Sequence, residues 1–538
     1  MNKWLALTLC ALTSVSTVGC NLTADNKTAS SAVNVNTDLA NEVAEPAEPV
    51  TTTSSLMVFT DQPTFELEQL SPQQEADLWQ RIRRQLTMQA PENQRLISQR
   101  NWYMNNPQYM ERVAKRAEPF MYMIVEEIEK RDMPLELALL PIVESAFDPF
   151  AYSHGRAAGI WQFIPGTARH YGLEINWWYD GRRDVYAATH AALDYLDALQ
   201  KRFDGDWLHA LAAYNSGEGR VAGAIRRNKQ QSLPTDFWAL DLPRETRAYV
   251  PKLLALADIL RNHDEYAQHW LPIANMPFLA VVEANAQIDL AKAAEQAGID
   301  LDTLHHYNSA YNRWATDPNG PHRLLLPLPQ AETLQQWLNS ADASELVQWT
   351  RHKVKQGESL LVIAKRYHTT AQAIQQANNI NGHIIRAGDH LLVPVATRDL
   401  DDYSLSADQR LASTQAQTRG AYKIEHTVVS GDTLWDISRE YEVNLRSLAS
   451  WNGMAPTDPL RPGKTLVVWL PQQQKASGVV RSVQYKVRAG DSLARIASRF
   501  NVSIQDIEKW NQISRSKYLQ PGQQLKLLVD VTRLSSQS

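Results

Sequence analysis

The chain has 538 residues, of which 44% are hydrophobic and 21% are charged, and its formal net charge is −5. This length predicts three or four domains, and the composition excludes a coiled coil, a collagen and a wholly disordered chain. The weakly acidic balance argues against nucleic-acid binding, which usually needs a basic face. The two cysteines are Cys10 and Cys20, so neither a disulfide scaffold nor a cysteine-based zinc site is expected in the later parts of the chain.

Residues 1–20 have the pattern of an export signal. A short basic start precedes an uncharged stretch from Trp4 to Val18, which is too short and too rich in Ser and Thr for a transmembrane helix. The ending Thr17-Val18-Gly19-Cys20 resembles a bacterial lipoprotein signal, which implies that Cys20 becomes lipidated. Asn21 then favours the outer membrane, facing the periplasm of a Gram-negative-type cell envelope. The alternative is an ordinary signal peptide with Cys20 unmodified.

A helical domain follows the signal. Residues 21–55 are rich in Ala, Asn, Thr, Glu and Pro, so we expect a disordered tether over 21–71. Apolar side chains then recur at helical spacing, for example in 111–130, 185–202 and 251–262. This pattern predicts a mainly α-helical domain over 72–270. Pro134 and Pro251 are expected in the first turns of helices, where proline is tolerated.

The rest of the chain repeats itself. Three segments each open with a glycine that is followed 21 residues later by an asparagine. A short β-type run precedes each opening, and a glycine turn with an apolar strand closes each copy. The repeat predicts strand, helix, helix and strand in about 45 residues, with both helices packed on a two-stranded sheet.

This pattern resembles the LysM module, a βααβ fold that binds N-acetylglucosamine-containing glycans such as peptidoglycan and chitin. The resemblance implies modules at 350–395, 423–470 and 483–528. The linkers 396–422 and 471–482 are polar, so we expect the last modules to swing freely. Alternatively, some copies could be structural spacers that bind no sugar. The first and third are net positive and the middle one net negative, so the outer copies better match an anionic polymer. The glycan-binding candidates are Gly357, Asn378, Gly431, Asp432, Thr433, Asn452, Gly490, Asp491, Ser492 and Asn511.

A fourth, degenerate copy lies at 275–345. Leu290 to Asn308 spans as many residues as Leu434 to Asn452, but Gln287-Ile288-Asp289 replaces the opening Gly-Asp-Thr. We expect this unit to pack on the helical domain and not to bind sugar.

Glu144 is the candidate catalytic residue. It follows the apolar residues Leu139, Leu140, Ile142 and Val143, and removal from water raises a carboxyl pKa toward neutrality. A general acid working near pH 7 needs such a pKa. An arbitrary glutamate here would more often be a helix-end carboxylate paired with a base.

Four motifs in order nevertheless resemble the goose-type lysozyme and lytic transglycosylase superfamily, family 1. They are Glu144-Ser145, Gly159-Ile160-Trp161-Gln162, Ala213-Tyr214-Asn215 and a later tyrosine, Tyr249. Ile160-Trp161 stands where many members have Leu-Met. The resemblance implies an α+β multidomain protein, with a mainly α lysozyme-like catalytic domain followed by small βααβ LysM modules.

The same resemblance assigns site roles. Glu144 would be catalytic and the Ser145 hydroxyl would orient it, while Gln162 and Asn215 would line the cleft near the substrate N-acetyl group. Tyr214 and Tyr249 are further site candidates, and Trp161, in the turn that begins at Gly159, could stack on sugars. Each also has a structural alternative: a cap for Ser145, turn positions for Gln162 and Asn215, and core positions for the aromatic residues.

The implied activity is that of a lytic transglycosylase, a carbon-oxygen lyase acting on polysaccharide. Most glycosidases use two carboxylates. In this sequence one acid, Glu144, is clearly placed, but a partner for it is not. The substrate acetamido group can replace the second, so Glu144 would cleave the β-1,4 bond between N-acetylmuramic acid and N-acetylglucosamine and leave 1,6-anhydromuramyl ends. We expect no metal or cofactor. The alternatives are a lysozyme-type hydrolase using a second acid such as Asp148, which more often bonds backbone at an Asp-Pro step, and a non-catalytic wall-anchoring lipoprotein.

Overall fold

The computed structural model describes residues 71–89, 91–266, 270–470, 480–488, 490–500, 502–513 and 519–530. All of them belong to one compact unit, Gln69–Ser538. The predicted signal with Cys20, the tether up to residue 70 and most of the linker 471–482 lie outside the described residues.

The first part of this unit is α-helical. Its helices are α1 (Leu78–Arg83), α2 (Gln94–Met104), α3 (Pro107–Glu129), α4 (Leu140–Ser145), α5 (Pro165–His170), α6 (Val185–Arg202), α7 (Trp207–Ser216), α8 (Glu218–Gln230), α9 (Arg244–Arg261) and α10 (His263–Tyr266). Along α3, residues three or four apart are fully buried and form one face against the core: Val113, Ala117, Phe120, Ile124 and Ile128. In the described residues, no helix is both long and apolar enough to cross a membrane.

The helix predictions succeed except at the two prolines. Pro134 is the N-cap of a 3-10 turn, Leu135–Leu139, and does not lie in the first turn of a helix. The predicted helix 185–202 coincides with α6, which Asp184 caps by accepting a hydrogen bond from the Ala187 N–H. Pro251 does not start a helix but lies inside α9, which begins at Arg244. Tyr249, Val250 and Leu253 are all buried around it. We infer that this packing outweighs the backbone hydrogen bond that proline removes.

The degenerate copy has the βααβ order. It consists of β1 (Leu279–Glu283), α11 (Leu290–Ala297), α12 (Leu301–Tyr307), β2 (Arg323–Pro327) and an additional helix, α13 (Leu328–Leu338). The strands β1 and β2 are antiparallel. As expected, the unit packs on the helical domain. The Asp180 N–H donates to the Ala310 carbonyl at 2.9 Å, and Arg323 pairs with Asp184 at 2.7 Å.

The first repeat is also tied to its neighbours. It comprises β3 (Gln348–Lys353), α14 (Leu360–Arg366), α15 (Ala371–Ala377) and β4 (His390–Val395), with β3 and β4 antiparallel. The Trp314 indole N–H donates to the His368 carbonyl at 2.8 Å. The Trp178 indole N–H reaches the Thr370 hydroxyl at 3.4 Å. These bonds join the module to the degenerate copy and to the helical domain.

The prediction that 396–422 is a free linker is wrong. This segment contains a 3-10 turn, Leu400–Asp402, and the helix α16 (Ala407–Ala416). Tyr403 is 1% exposed, and its hydroxyl donates to the Asp289 carboxylate at 2.9 Å. The Thr397 N–H donates to the same carboxylate at 2.8 Å. A buried carboxylate with these donors fixes the segment to the degenerate copy.

The last two repeats share one sheet instead of forming two separate ones. The second comprises β5 (Tyr422–Thr427), α17 (Leu434–Glu440), α18 (Leu445–Trp451) and β6 (Thr465–Leu470), and the third β7 (Val480–Lys486), α19 (Leu493–Phe500), α20 (Ile504–Asn511) and β8 (Gln524–Asp530). The strand order is β6-β5-β7-β8, with β5 and β7 parallel. Because each small sheet has free edges, pairing of one edge with another extends it.

Candidate active site

A cavity of about 480 Å³ in the helical domain brings together five of the predicted site residues. Its walls come from α4, α5, α6, α7, α9 and the chain segment between α4 and α5. The predicted residues that line it are Glu144, Gln162, Tyr214, Asn215 and Tyr249. Residues separated by more than 100 positions in sequence therefore face one space.

Glu144 lies in the last turn of α4. The helix stops directly afterwards because Ala146 and Phe147 both adopt the left-handed conformation, with φ of 53° and 56°. Burial raises the pKa of Glu144 to about 7, as the sequence predicts. The Tyr249 hydroxyl donates a hydrogen bond to Glu144 Oε1, which opposes that rise, whereas the neighbouring Glu245 adds to it. The carboxyl is therefore set to exchange a proton near neutral pH.

One face of α9 forms a wall of the cavity. Glu245, Tyr249 and Lys252 all line it, at the i, i+4 and i+7 spacing that places side chains on one helix face. Tyr249 is among the predicted residues, but Glu245 and Lys252 are not. The signal was present in the sequence, since the spacing from Tyr249 identifies both.

The turn after Gly159 supports the cavity floor. Gly159 has φ of +78°, and a Cβ there would collide with the Arg182 carbonyl oxygen, so glycine is required. Trp161 is fully buried, and its indole N–H donates to the Thr189 hydroxyl at 2.9 Å. The predicted stacking of Trp161 on sugar is therefore wrong. The Tyr214 hydroxyl donates to the Trp161 carbonyl at 2.8 Å, which joins α7 to this turn.

Ser145 and Asn215 hold elements in place. The Ser145 hydroxyl donates to the Ile160 carbonyl at 3.0 Å and to the Pro141 carbonyl at 3.2 Å. The predicted direct orientation of Glu144 is thus corrected to a link between α4 and the turn. Asn215 Oδ1 accepts from the Thr246 hydroxyl at 2.8 Å, which joins α7 to α9. The Gln162 amide donates to the Gly159 carbonyl at 2.8 Å while lining the cavity.

The Asp148 carboxylate makes its contacts outside the cavity. Its Oδ1 accepts from the Phe150 N–H at 2.9 Å, and its Oδ2 lies 3.8 Å from the Arg116 guanidinium. Asp148 is not among the residues that line the cavity, whereas Glu245 is. A second carboxylate at this site is therefore Glu245. The described residues contain no group of three or more His, Cys, Asp or Glu arranged to hold a metal ion.

The repeat asparagines have a structural role. The Asn378 amide donates to the carbonyls of Ile374 and Leu392, both at 2.7 Å, and accepts from the Leu392 N–H. The same three hydrogen bonds, from the second helix to the last strand, recur at Asn452 and Asn511 and in the degenerate copy at Asn308. The Asn452 side chain is buried, so its predicted glycan contact is wrong, whereas glycan contact of Asn378 and Asn511 stays a prediction.

The glycine openings are shaped by internal bonds as well. The carboxylates of Asp432 and Asp491 accept from backbone N–H groups three residues earlier, both at 2.8 Å. Thr433 and Ser492 cap the next helices. Three glycines adopt positive φ: Gly357, Gly431 and Gly490. These residues set the loop shape, and their contact with glycan stays a prediction. The modules also present exposed side chains that the sequence analysis did not single out. The large apolar ones are Trp349, Leu361, Val362, Ile384 and Leu392 in the first module and Val429 and Trp435 in the second.

Comparisons with known proteins agree with this arrangement. A family model described as the transglycosylase SLT domain matches residues 121–236. The LysM domain matches 352–394, 426–469 and 485–527. The LysM-like domain of lytic transglycosylase MltD matches 278–343, the degenerate copy.

Similar proteins extend the agreement. The chain is 37% identical over 472 residues to membrane-bound lytic murein transglycosylase D of Escherichia coli (strain K12), covering 88% of this chain and 90% of the relative. It is 53% identical over 124 residues to a putative tributyltin chloride resistance protein of Alteromonas sp. (strain M-1), covering 23% and 60%. The soluble lytic transglycosylase SLT70 of E. coli aligns at 20% identity over 35% of this chain and 32% of that one, with a TM-score of 0.24, which is too low to support any inference.

Proposed function

The chain belongs to the family of membrane-bound lytic murein transglycosylase D, and on that premise we propose that Glu144 is the acid and base of its reaction. The protein is a lytic murein transglycosylase with peptidoglycan-binding LysM modules. The observation that supports the role of Glu144 is its position in the cavity, with a pKa raised to about 7 by burial. At neutral pH such a carboxyl is partly protonated and can donate its proton.

The proposed reaction uses one carboxyl twice. Glu144 gives its proton to the oxygen of the β-1,4 bond between N-acetylmuramic acid and N-acetylglucosamine, and the C1–O bond breaks. The muramyl acetamido group supports the developing positive charge at C1. The ionised Glu144 then takes the proton of the muramyl C6 hydroxyl, whose oxygen bonds to C1. The product is a 1,6-anhydromuramyl end, formed without water.

Tyr249 supports both states of this cycle. Its hydroxyl donates to Glu144 Oε1, so it fixes the carboxyl and stabilises the anion that remains after proton transfer. Tyr214 holds the Gly159 turn, while Gln162 and Asn215 line the space where the substrate N-acetyl group would lie. A lysozyme-type hydrolase is the second candidate, because Glu245 places a second carboxylate in the cavity.

Product analysis tests the proposal. Peptidoglycan digested by the full chain should give ends one water lighter than those of a hydrolase, as measured by mass spectrometry. Glu144→Gln should lower turnover by about 100- to 10,000-fold, the usual contribution of a general acid, with sacculus binding retained. Asp148→Asn, outside the cavity, is the matched control. Reducing ends throughout would instead establish hydrolysis, and full turnover in Glu144→Gln would exclude Glu144.

The place of action is the cell envelope, since the full-length relative is membrane-bound. We propose that attachment runs through a lipid on Cys20 at the outer membrane, because Thr17-Val18-Gly19-Cys20 resembles a lipoprotein signal. Cells labelled with palmitate should yield labelled protein from the parent gene but not from Cys20→Ala. Label retained in Cys20→Ala would contradict the anchor.

A further inference from the structure

A second cavity of about 1040 Å³ lies between the helical domain, the segment 401–416 and the second module. Phe150, Tyr152 and Arg183 line it from the helical domain, Arg410 from α16 and Lys464 from the module. Residues 150–157 contribute side chains to this cavity and to the catalytic cavity around Glu144. Phe150 and Tyr152 face the second cavity, whereas Ser153 and Ala157 line the first.

The charge of this second cavity is positive. Among the described residues that line it, four are cationic and one, Asp401, is acidic. The cations are Arg182, Arg183, Arg410 and Lys464. Asp180 pairs with Arg182 at 2.8 Å and with Arg183 at 2.7 Å, so one carboxylate serves two guanidinium groups. Among the described lining residues, positive charge therefore exceeds negative charge.

The excess of positive charge is clearest at Arg410. Its guanidinium lies over the Phe150 ring at 4.3 Å, and its Nε is buried with no hydrogen-bond partner among the described residues. Burial, together with repulsion from Arg183, lowers the pKa of Arg410 to about 9. Burial also lowers the pKa of Lys464. A buried guanidinium N–H without an acceptor is costly, and an anion that accepted a hydrogen bond from it would relieve that cost.

The wall of the second module is fixed beside the catalytic cavity. Asp458 of that module accepts from the Tyr152 hydroxyl at 3.0 Å and pairs with Arg156 at 2.7 Å. Tyr152 and Arg156 flank Ser153, which lines the catalytic cavity. The two cavities therefore keep a defined spacing.

We propose that this second cavity binds the carboxylates of the acidic peptide stem carried by a glycan strand whose sugars occupy the catalytic cavity. The inference rests on the proposed function, because it assumes that peptidoglycan is cut at Glu144. Muramyl residues carry peptides with free carboxylates, so a strand held for cleavage presents anionic branches beside its sugar backbone. Arginine is well suited to binding them, since its planar guanidinium can form paired hydrogen bonds to a carboxylate.

The test compares two substrates made from the same sacculi, glycan strands with intact peptide stems and strands freed of stems by an amidase. In the full chain, Arg410→Gln should lower kcat/KM on the stem-bearing strands by about tenfold, the effect of losing one charge-assisted hydrogen bond. The loss should appear mainly in KM. Arg410→Lys should restore part of it. The matched control is Arg419→Gln, at an exposed arginine three residues beyond the 401–416 segment that does not line the cavity. It should change cleavage of neither substrate.

Each outcome decides the proposal. Unchanged cleavage of stem-free strands by Arg410→Gln, with weaker cleavage of stem-bearing strands, supports stem recognition and shows that the variant is folded. An equal loss on both substrates, or no loss on either, overturns it. Failure of the proposed function would look different, because then Glu144→Gln would still cut the stem-free strands.

Discussion

At the scale of single residues, one cavity holds two carboxyl groups in different surroundings. Glu144 is partly buried and bonded to Tyr249, whereas Glu245 is exposed. Burial raises the pKa of Glu144 to about 7. Environment, not residue type, therefore distinguishes the proposed proton donor from its neighbour.

The pH dependence follows from that difference. A carboxyl with a pKa of about 7 is protonated below that pH, so the initial protonation step should weaken as pH rises through 7. Glu245→Gln removes a like charge, which lowers the pKa of Glu144 and should move the alkaline limb of the kcat/KM profile to lower pH. Asp148→Asn should leave the limb in place. A limb that Glu245→Gln does not move would show that Glu245 does not influence the acid.

How far the site could be predicted also differs from residue to residue. The motifs identify Glu144 and Tyr249, which the structure brings into hydrogen-bond contact. They do not give orientation: the Trp161 ring points into the core and the Ser145 hydroxyl bonds backbone. These outcomes depend on packing against α6 and on the Gly159 turn, which a motif does not encode.

At the scale of elements, the repeats are the most predictable part of the chain. Recurring glycine and asparagine positions predict the βααβ order correctly, because the Asn378 amide, like its counterparts, joins the second helix to the last strand. The pairing of β5 with β7 could not be predicted, because the sequence of an edge strand does not determine which other free edge it pairs with.

The exposed apolar side chains of the first module give a prediction at this scale. Ile384 is 87% exposed, and exposed apolar groups mark interaction surfaces when they cluster. Ile384→Ser should weaken retention of the full chain on isolated sacculi several-fold, by about 1 kcal/mol of lost apolar contact, with the thermal midpoint unchanged.

The comparison for Ile384→Ser is Val429→Ser in the second module. Val429 is 46% exposed, but its module is net negative, so its loss should matter less in a sacculus pull-down. If the parent and Ile384→Ser were retained equally, Ile384 would not contribute to glycan binding by the first module.

At the scale of the whole molecule, long-range contacts bind the modules to the helical domain. The polar composition of 396–422 suggested a flexible linker, but composition does not reveal that Tyr403 has a buried partner in Asp289. Burial raises the pKa of Asp289, and that cost is tolerated because hydroxyl and backbone donors surround the carboxylate.

A substitution of Tyr403 therefore tests what holds the 396–422 segment against the rest of the molecule. Tyr403→Ala removes a fully buried ring, a loss of about 3 kcal/mol at comparable sites, and should release the 396–422 segment. Limited proteolysis should then cut within that segment, while the helical domain stays intact. Tyr403→Phe keeps the ring and loses the hydroxyl, so it should be cut less. Equal resistance of all three proteins would mean that other contacts hold the segment.

The docking of the second module through Asp458 also bears on the size of the fragments released. Because this contact fixes the module beside the catalytic cavity, a strand held by the module and cut at Glu144 would span a set number of sugars between the two points. The enzyme would then release fragments whose lengths cluster around a preferred number of sugars instead of following a random distribution.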